Sequence, residues 1–431
     1  MAPERALDAA WLASRRWFRH KAKPIDSVRV ADAAPLGEGC ALLVLAARLA
    51  SGEEVRYFVP AAGSGDEASE PSDGDGAWRS LLGWLVAGGE VGSDHGTFVA
   101  HPHPALTRLL PGGAGEAAAL EERRLGVQQS NTTVRLGERL ILKLYRLVES
   151  GTNPEVEVCS FLDQAGFAHV PPVAGWIEYR TADGSAAAAM VQGMVPARGD
   201  AWELMHDRLG SLPQGPAEAL LAIAQLGGIT SELHHALRSS PDATGFEAGP
   251  ASGDQLADWY AAARRELAAA RETLRDDQAE RLRQLATGAD EAFDAMRRAS
   301  GALSSRIHGD YHLGQLLVTE SGFAIIDFEG EPARSLAERR APASPLRDVA
   351  GMLRSLDYAA RTAERDHRGV DLSEWLDDAR AAFLTAYGDV PDPDLLRAFE
   401  IEKACYEVRY EANHRPDWVW LPLEALERLA A

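Results

Sequence analysis

At 431 residues the chain exceeds what one hydrophobic core organises, so two or three domains are expected. Hydrophobic residues make up 46% and charged residues 25%, an ordinary globular composition with no apolar run of the roughly 18 residues needed to span a bilayer. The formal net charge of −21 argues against nucleic acid and anionic membrane surfaces as partners, and suits a neutral small-molecule substrate.

The start, Met1-Ala-Pro-Glu-Arg, lacks the apolar stretch of a signal peptide. Cys40, Cys159 and Cys405 are far apart and form no C-x-x-C, so a reducing cytoplasm is the expected setting. Short apolar runs at 41–45 and 55–59 predict antiparallel strands. The acidic stretch 63–76 (SGDEASEPSDGDG and its flanking glycine) predicts a mobile loop, and Pro111-Gly-Gly-Ala-Gly a second loop. Thr133–Leu136 and Arg139–Tyr145 flank Gly137-Glu138 as a hairpin. Asn153-Pro154-Glu155 reads as a helix cap, a first-turn proline and an acidic residue suited to the helix dipole, opening a helix to about Gln164. Residues 187–195 form an apolar strand, and Pro196 follows at a hinge. Beyond 200 the spacing is helical through 217–237, 253–298, 345–366 and 373–387, interrupted by a hairpin around Glu320-Ser321-Gly322. These signals divide the chain into an N-terminal module (1–110), a β-rich lobe (111–196) and a helical C-terminal lobe (197–431). The fold class is α+β, in a bilobal protein-kinase-like arrangement.

The chemistry concentrates at the ends of the second hairpin. His308-Gly-Asp310-Tyr-His312-Leu-Gly-Gln315 is followed by Ile326-Asp327-Phe-Glu329-Gly330. Phosphotransferases hold metal-bound ATP beside a hydroxyl with such a set. Asp310 is placed to accept the hydroxyl proton, and the oxygens of Gln315 and Asp327 to hold magnesium. Lys143, on a predicted strand, suits the α and β phosphates, and Glu157, in the following helix, suits an ion pair with it. There is no G-x-x-x-x-G-K-[ST] loop; the polar turn containing Gln129, Ser130, Asn131 and Thr132 takes the phosphate-covering place. A metal-dependent hydrolase could use His308, Asp310, His312 and Asp327, with His101 and His103 elsewhere, but no H-E-x-x-H accompanies them. Both loop histidines are read first as braces, with His308 also placed beside the substrate. Near the C-terminus, Lys403, Tyr406 and Tyr410 fall along one helix face, followed by Trp418 and Trp420. Rings that stack on sugars and donors to their hydroxyls suggest a carbohydrate pocket.

These residues resemble actinobacterial maltokinases, including the maltokinase part of fusions with trehalose synthase. The likeness lies in QSNTTV…LILKLYR (129–146), NPEVEV (153–158), HGDYHLGQLL (308–317), IIDFEGEP (325–332), SPLRDVAGMLRSLDYAA (344–360) and EKACYEVRYEANHRPDW (402–418), with WF-x-x-K-A at 17–22 resembling the family's cap. The resemblance implies ATP- and magnesium-dependent phosphorylation of the anomeric hydroxyl of maltose. The product, maltose 1-phosphate, feeds α-glucan (glycogen) synthesis from trehalose, and a complex with trehalose synthase is possible. It implies a fold related to aminoglycoside phosphotransferases. It also assigns Lys403, Tyr406 and Tyr410 to the sugar and lets Glu329 approach the sugar or the metal. Tyr311 and Trp420 depart from the family pattern. Relatives acting on glucosamine share the kinase motifs, and a non-catalytic partner of trehalose synthase is the reading of a different class.

Overall fold

The computed structural model describes residues 7–37, 39–62, 69–126, 130–211, 214–240, 243–367, 369–388 and 390–430. The chain divides into two compact units, one of residues 1–163 and 171–195, the other of residues 164–170 and 196–431.

The first unit is rich in strand. Ile25–Gly37, Cys40–Leu49 and Glu54–Ala62 form a three-stranded antiparallel sheet, containing both strands expected near 41–45 and 55–59. A seven-stranded sheet follows, in the order Gly89–Gly92, Thr97–Pro102, Val173–Thr181, Gly184–Gly193, Leu140–Leu144, Thr132–Leu136, Glu122–Arg124. The predicted hairpin is its Thr132–Leu136/Leu140–Leu144 pair, turning at Gly137 with φ +58°, a left-handed conformation that glycine adopts without a Cβ clash. Alternate residues Val134, Leu136, Leu140, Leu142 and Leu144 are buried, as one face of a two-residue repeat demands. They share one core with Trp78, Leu81 and Leu82 of the helix Ala77–Ala87.

One loop expectation is corrected here. The Pro111-Gly-Gly stretch leads directly into a helix, Gly113–Ala119, whose alanines need no turn chemistry. The acidic stretch does not remain free where it is described. Residues 63–68 lie outside the described residues, but Glu70 is buried against Arg146 and Arg124 (3.2 Å), and Asp73 accepts from the Arg124 N–H (2.8 Å). Composition marked the segment as too polar to bury, and a buried arginine overrode that by demanding a counter-charge.

The second unit is mostly helical. Gly215–Leu237, Leu346–Asp366 and Ser373–Tyr387 match the predicted helices. The 253–298 region resolves into Gly253–Thr273 and Asp276–Arg298, separated where Asp276 takes φ +51°. The helix Pro393–His414 carries Lys403, Tyr406 and Tyr410. The hairpin Leu316–Thr319/Gly322–Ile325 stands among these helices as expected. Among the described residues no helix is long and apolar enough to cross a membrane.

Candidate active site

In the second unit, His308, Gly309 and Asp310 lie on a loop after the short strand Leu303–Ser304. Gly309 has φ +87°, and an added Cβ would come within 3.3 Å of Gly330 Cα. Asp348, in the first turn of the helix Leu346–Asp366, braces this loop from below. Its carboxylate accepts from the backbone N–H of His308 (2.8 Å) and of Gly309 (2.9 Å) and faces His234 Nε2 (3.1 Å). Burial pushes its pKa up, but His234, the nearby His308 and the Gly309 N–H outweigh burial and hold the carboxyl below its ordinary range.

His308 is itself a brace. It is 2% exposed, its Nδ1 accepts from the Asp310 N–H (3.3 Å), and its Nε2 donates to the Ile326 carbonyl (3.0 Å). Both of its ring nitrogens are thus engaged by backbone. The ring ties the loop of Asp310 to the end of the hairpin, just before Asp327. His312 Nδ1 accepts from the Gly314 N–H (3.1 Å) at the start of the short 3₁₀ turn Leu313–Gln315, and burial holds its pKa below the ordinary imidazole value.

That turn brings Gln315 to Asp327, with Gln315 Nε2 donating to Asp327 Oδ2 at 3.3 Å. Asp327 has φ +66°, a left-handed backbone that costs a non-glycine residue on the order of 1 kcal/mol and is found disproportionately at functional sites. A carboxylate beside an amide suits a hard, oxygen-seeking cation once the amide turns its oxygen inward.

Asp310 opens onto a cleft that is lined also by Glu331, Arg334, Phe399, Lys403 and Tyr406. Lys403 Nζ donates to Glu331 Oε1 at 2.7 Å and lies 3.4 Å from Asp310 Oδ1 and 4.7 Å from the Tyr406 ring centre. Arg334 holds the other Glu331 oxygen at 2.7 Å. Burial raises the Glu331 pKa, but the adjacent charges of Lys403 and Arg334 overcome it and bring it to about 2. Lys403 is opposed by burial and raised further still by Glu331 and Asp310, so it stays charged. Of the other expected sugar contacts, Tyr410 is 43% exposed and stacked on Tyr406 and His414, while Trp418 lies under Arg365 (3.8 Å) and Arg415 (5.1 Å). Tyr410, Trp418 and Trp420 are not among the residues that line this cleft. The Tyr311 hydroxyl is buried against Thr230 (2.9 Å), so this departure from the family pattern is a packing feature. The Glu329 carbonyl accepts from Arg339 (3.2 Å).

In the first unit, Lys143 is mostly buried and forms an ion pair with Glu155 at 2.8 Å. This corrects the expected partner: the carboxylate beside the ammonium belongs to Glu155, two positions before Glu157. The Tyr145 hydroxyl donates to Glu155 Oε2 at 2.8 Å, and Asn153 caps the helix by accepting from the Glu155 and Val156 N–H groups. The polar turn is also corrected in part. Asn131 Oδ1 accepts from the Arg146 N–H (3.2 Å) and Thr132 Oγ1 from Arg146 Nε (2.8 Å), so both side chains hold the buried arginine. Ser130 stands before them, and Gln129 lies outside the described residues.

Sequence reasoning passed over Asp348, Glu331, Glu155 and Arg146. All four stand inside stretches that carry the family likeness (344–360, 325–332, 153–158 and 129–146), which was the available signal.

Residues 121–399 match the phosphotransferase enzyme family, and residues 11–91 match the maltokinase N-terminal cap domain. A glucosamine kinase of Streptacidiphilus jiangxiensis is 28% identical over 406 residues, covering 90% of this chain and 88% of that protein. A solved glucosamine kinase structure superposes with TM-score 0.78 at 26% identity, covering 99% of this chain and 98% of the other. A glucosamine kinase solved with glucosamine, ADP and inorganic phosphate gives TM-score 0.74 at 25% identity, covering 98% of each chain.

Proposed function

Because the chain belongs to the phosphotransferase enzyme family, we propose that it transfers the γ-phosphoryl group of ATP to a sugar hydroxyl. The acceptor put first is the anomeric hydroxyl of maltose, with maltose 1-phosphate as product. The observation that carries the reaction is the placement of Asp310 at an open cleft, on a loop tied through His308 to the segment bearing Asp327. In the proposed step the hydroxyl O–H bond breaks and its proton passes to Asp310. The freed oxygen bonds the γ-phosphorus as the bond to the β–γ bridging oxygen breaks, releasing ADP. Asp310 binds and orients the hydroxyl with the oxygen that does not face Lys403. Lys143, fixed by Glu155, is assigned to phosphate oxygens, with Ser130 and Gln129 in the turn before its hairpin. Gln315 and Asp327 fit magnesium, which when bound neutralises phosphate charge.

The maltose assignment rests on the stretches resembling maltokinases and on the cap match. A complex with trehalose synthase and a role in α-glucan synthesis belong to that reading. A reducing cytoplasm fits Cys40, Cys159 and Cys405, all buried thiols outside any disulfide. Glucosamine is the second reading. It is favoured by the relatives that span nearly the whole chain, and by a cleft whose acidic lining residues outnumber the basic ones six to four, as a cationic amino sugar prefers. ATP consumption is to be measured over maltose, glucosamine and glucose, with the phosphate position assigned by NMR. Asp310→Asn is expected to abolish turnover, by about 10³-fold or more, while nucleotide binding persists. An active Asp310→Asn enzyme overturns the assignment.

A further inference from the structure

The family likeness places Lys403 on the sugar, yet the ammonium has a different geometry from that of a substrate contact awaiting its ligand. It is already committed on two sides, to Glu331 at 2.7 Å and to Asp310 at 3.4 Å. Its three neighbours come from three separate elements: Asp310 from the loop after Leu303–Ser304, Glu331 from the segment after Gly322–Ile325, and Tyr406 from its own helix. Glu331 is fixed in turn by Arg334, so the chain of charges runs Arg334–Glu331–Lys403–Asp310.

The unequal distances decide what this chain of charges can do. A lysine facing Asp310 alone would close to a direct pair, neutralising the carboxylate and occupying the oxygen needed by the hydroxyl. A cleft without the lysine would leave Asp310 and Glu331 with no cation between them. With Glu331 as the nearer partner, Lys403 sits far enough back to aim Asp310 while one carboxylate oxygen stays open.

We propose that Lys403 is a positioning residue for Asp310, held at its working distance by Glu331, rather than a determinant of acceptor choice. The inference rests on the proposed phosphotransfer and is independent of which sugar is the acceptor.

Two substitutions in the full chain should move the same observable in opposite directions. In Lys403→Met the acid limb of the kcat/KM–pH profile is expected to rise by about one unit. At the same time kcat should fall about 10- to 100-fold, with the acceptor KM changed little. Lys403→Arg should restore the acid limb. In Glu331→Gln the released ammonium closes on Asp310, so the acid limb should fall to lower pH with kcat also reduced. Circular dichroism and thermal melts establish which variants are folded, and Lys403→Arg with Glu331→Gln carry the test if Lys403→Met is not. An acid limb that stays fixed in every folded variant, with only the acceptor KM rising, overturns the proposal and returns Lys403 to the sugar. Absence of phosphorylated product from the unsubstituted protein over the sugar panel instead overturns the phosphotransfer reading.

Discussion

Replacing Asp348 with Asn changes almost no volume and removes one negative charge from beneath the loop of Asp310. In the native site two backbone donors, at 2.8 and 2.9 Å, and the His234 ring, at 3.1 Å, converge on two carboxylate oxygens. An amide keeps one acceptor and turns an NH₂ group toward a donor, so one of the His308 and Gly309 N–H groups, or His234, is left facing another donor. Losing one charge-assisted hydrogen bond costs about 1.5–3 kcal/mol, and an unsatisfied buried N–H about 1–3 kcal/mol more, giving roughly 2.5–6 kcal/mol. Since Asp310 follows these two residues directly, its carboxylate should shift, and misplacement on the order of 1 Å lowers kcat about 10²-fold. Urea unfolding near neutral pH, read alongside kcat, measures both effects. The pH dependence follows from the sign of the shift. Asp348 has a lower pKa folded than unfolded, so its stabilisation is complete above the ordinary carboxyl range near pH 4 and is lost as pH falls below it. The gap between the two proteins should therefore narrow in acid. A variant within about 1 kcal/mol of the parent that retains its kcat would refute the bracing argument.

Two further outcomes follow from the placement of side chains. Glu155→Gln should raise the KM for ATP about tenfold or more by releasing the Lys143 ammonium, and Glu157→Gln should change it less; steady-state kinetics at saturating acceptor separates them, and a larger effect at Glu157 would restore the original pairing. Trp418→Ala should leave the acceptor KM within about twofold, because the indole is stacked with Arg365 and Arg415 outside the cleft; a rise of tenfold would place it back at the sugar.

What was legible in the sequence was local. The hairpin at Gly137, the cap at Asn153 and the turn at Glu320-Ser321 are each specified within a few residues, so the elements carrying Lys143, Glu155 and Asp327 could be drawn in advance. Which carboxylate meets Lys143 could not. Residues 155 and 157 point about 200° apart on a helix, and only the direction from which the strand approaches chooses between them. Asp348 was equally hidden, since it brings a helix thirty-eight residues beyond Asp310 under a loop it does not neighbour in sequence. Aromatic content alone does not separate a sugar platform from a ring such as Trp418, which stacks on guanidinium groups. Composition misled at Glu70, because a charge rule applied to a whole stretch does not register one carboxylate claimed by the buried Arg146.

The left-handed backbone at Asp327 governs how an inert form of this protein should be made. Alanine there would meet the steric penalty of φ +66° as well as deleting the carboxylate, so lost turnover and a distorted hairpin end would arrive together. Asparagine tolerates that region and glycine adopts it freely, at the expense of a looser unfolded chain. Asp327→Asn is therefore the substitution of choice for trapping nucleotide and acceptor together, since it alters the charge and leaves the path of the chain as it was.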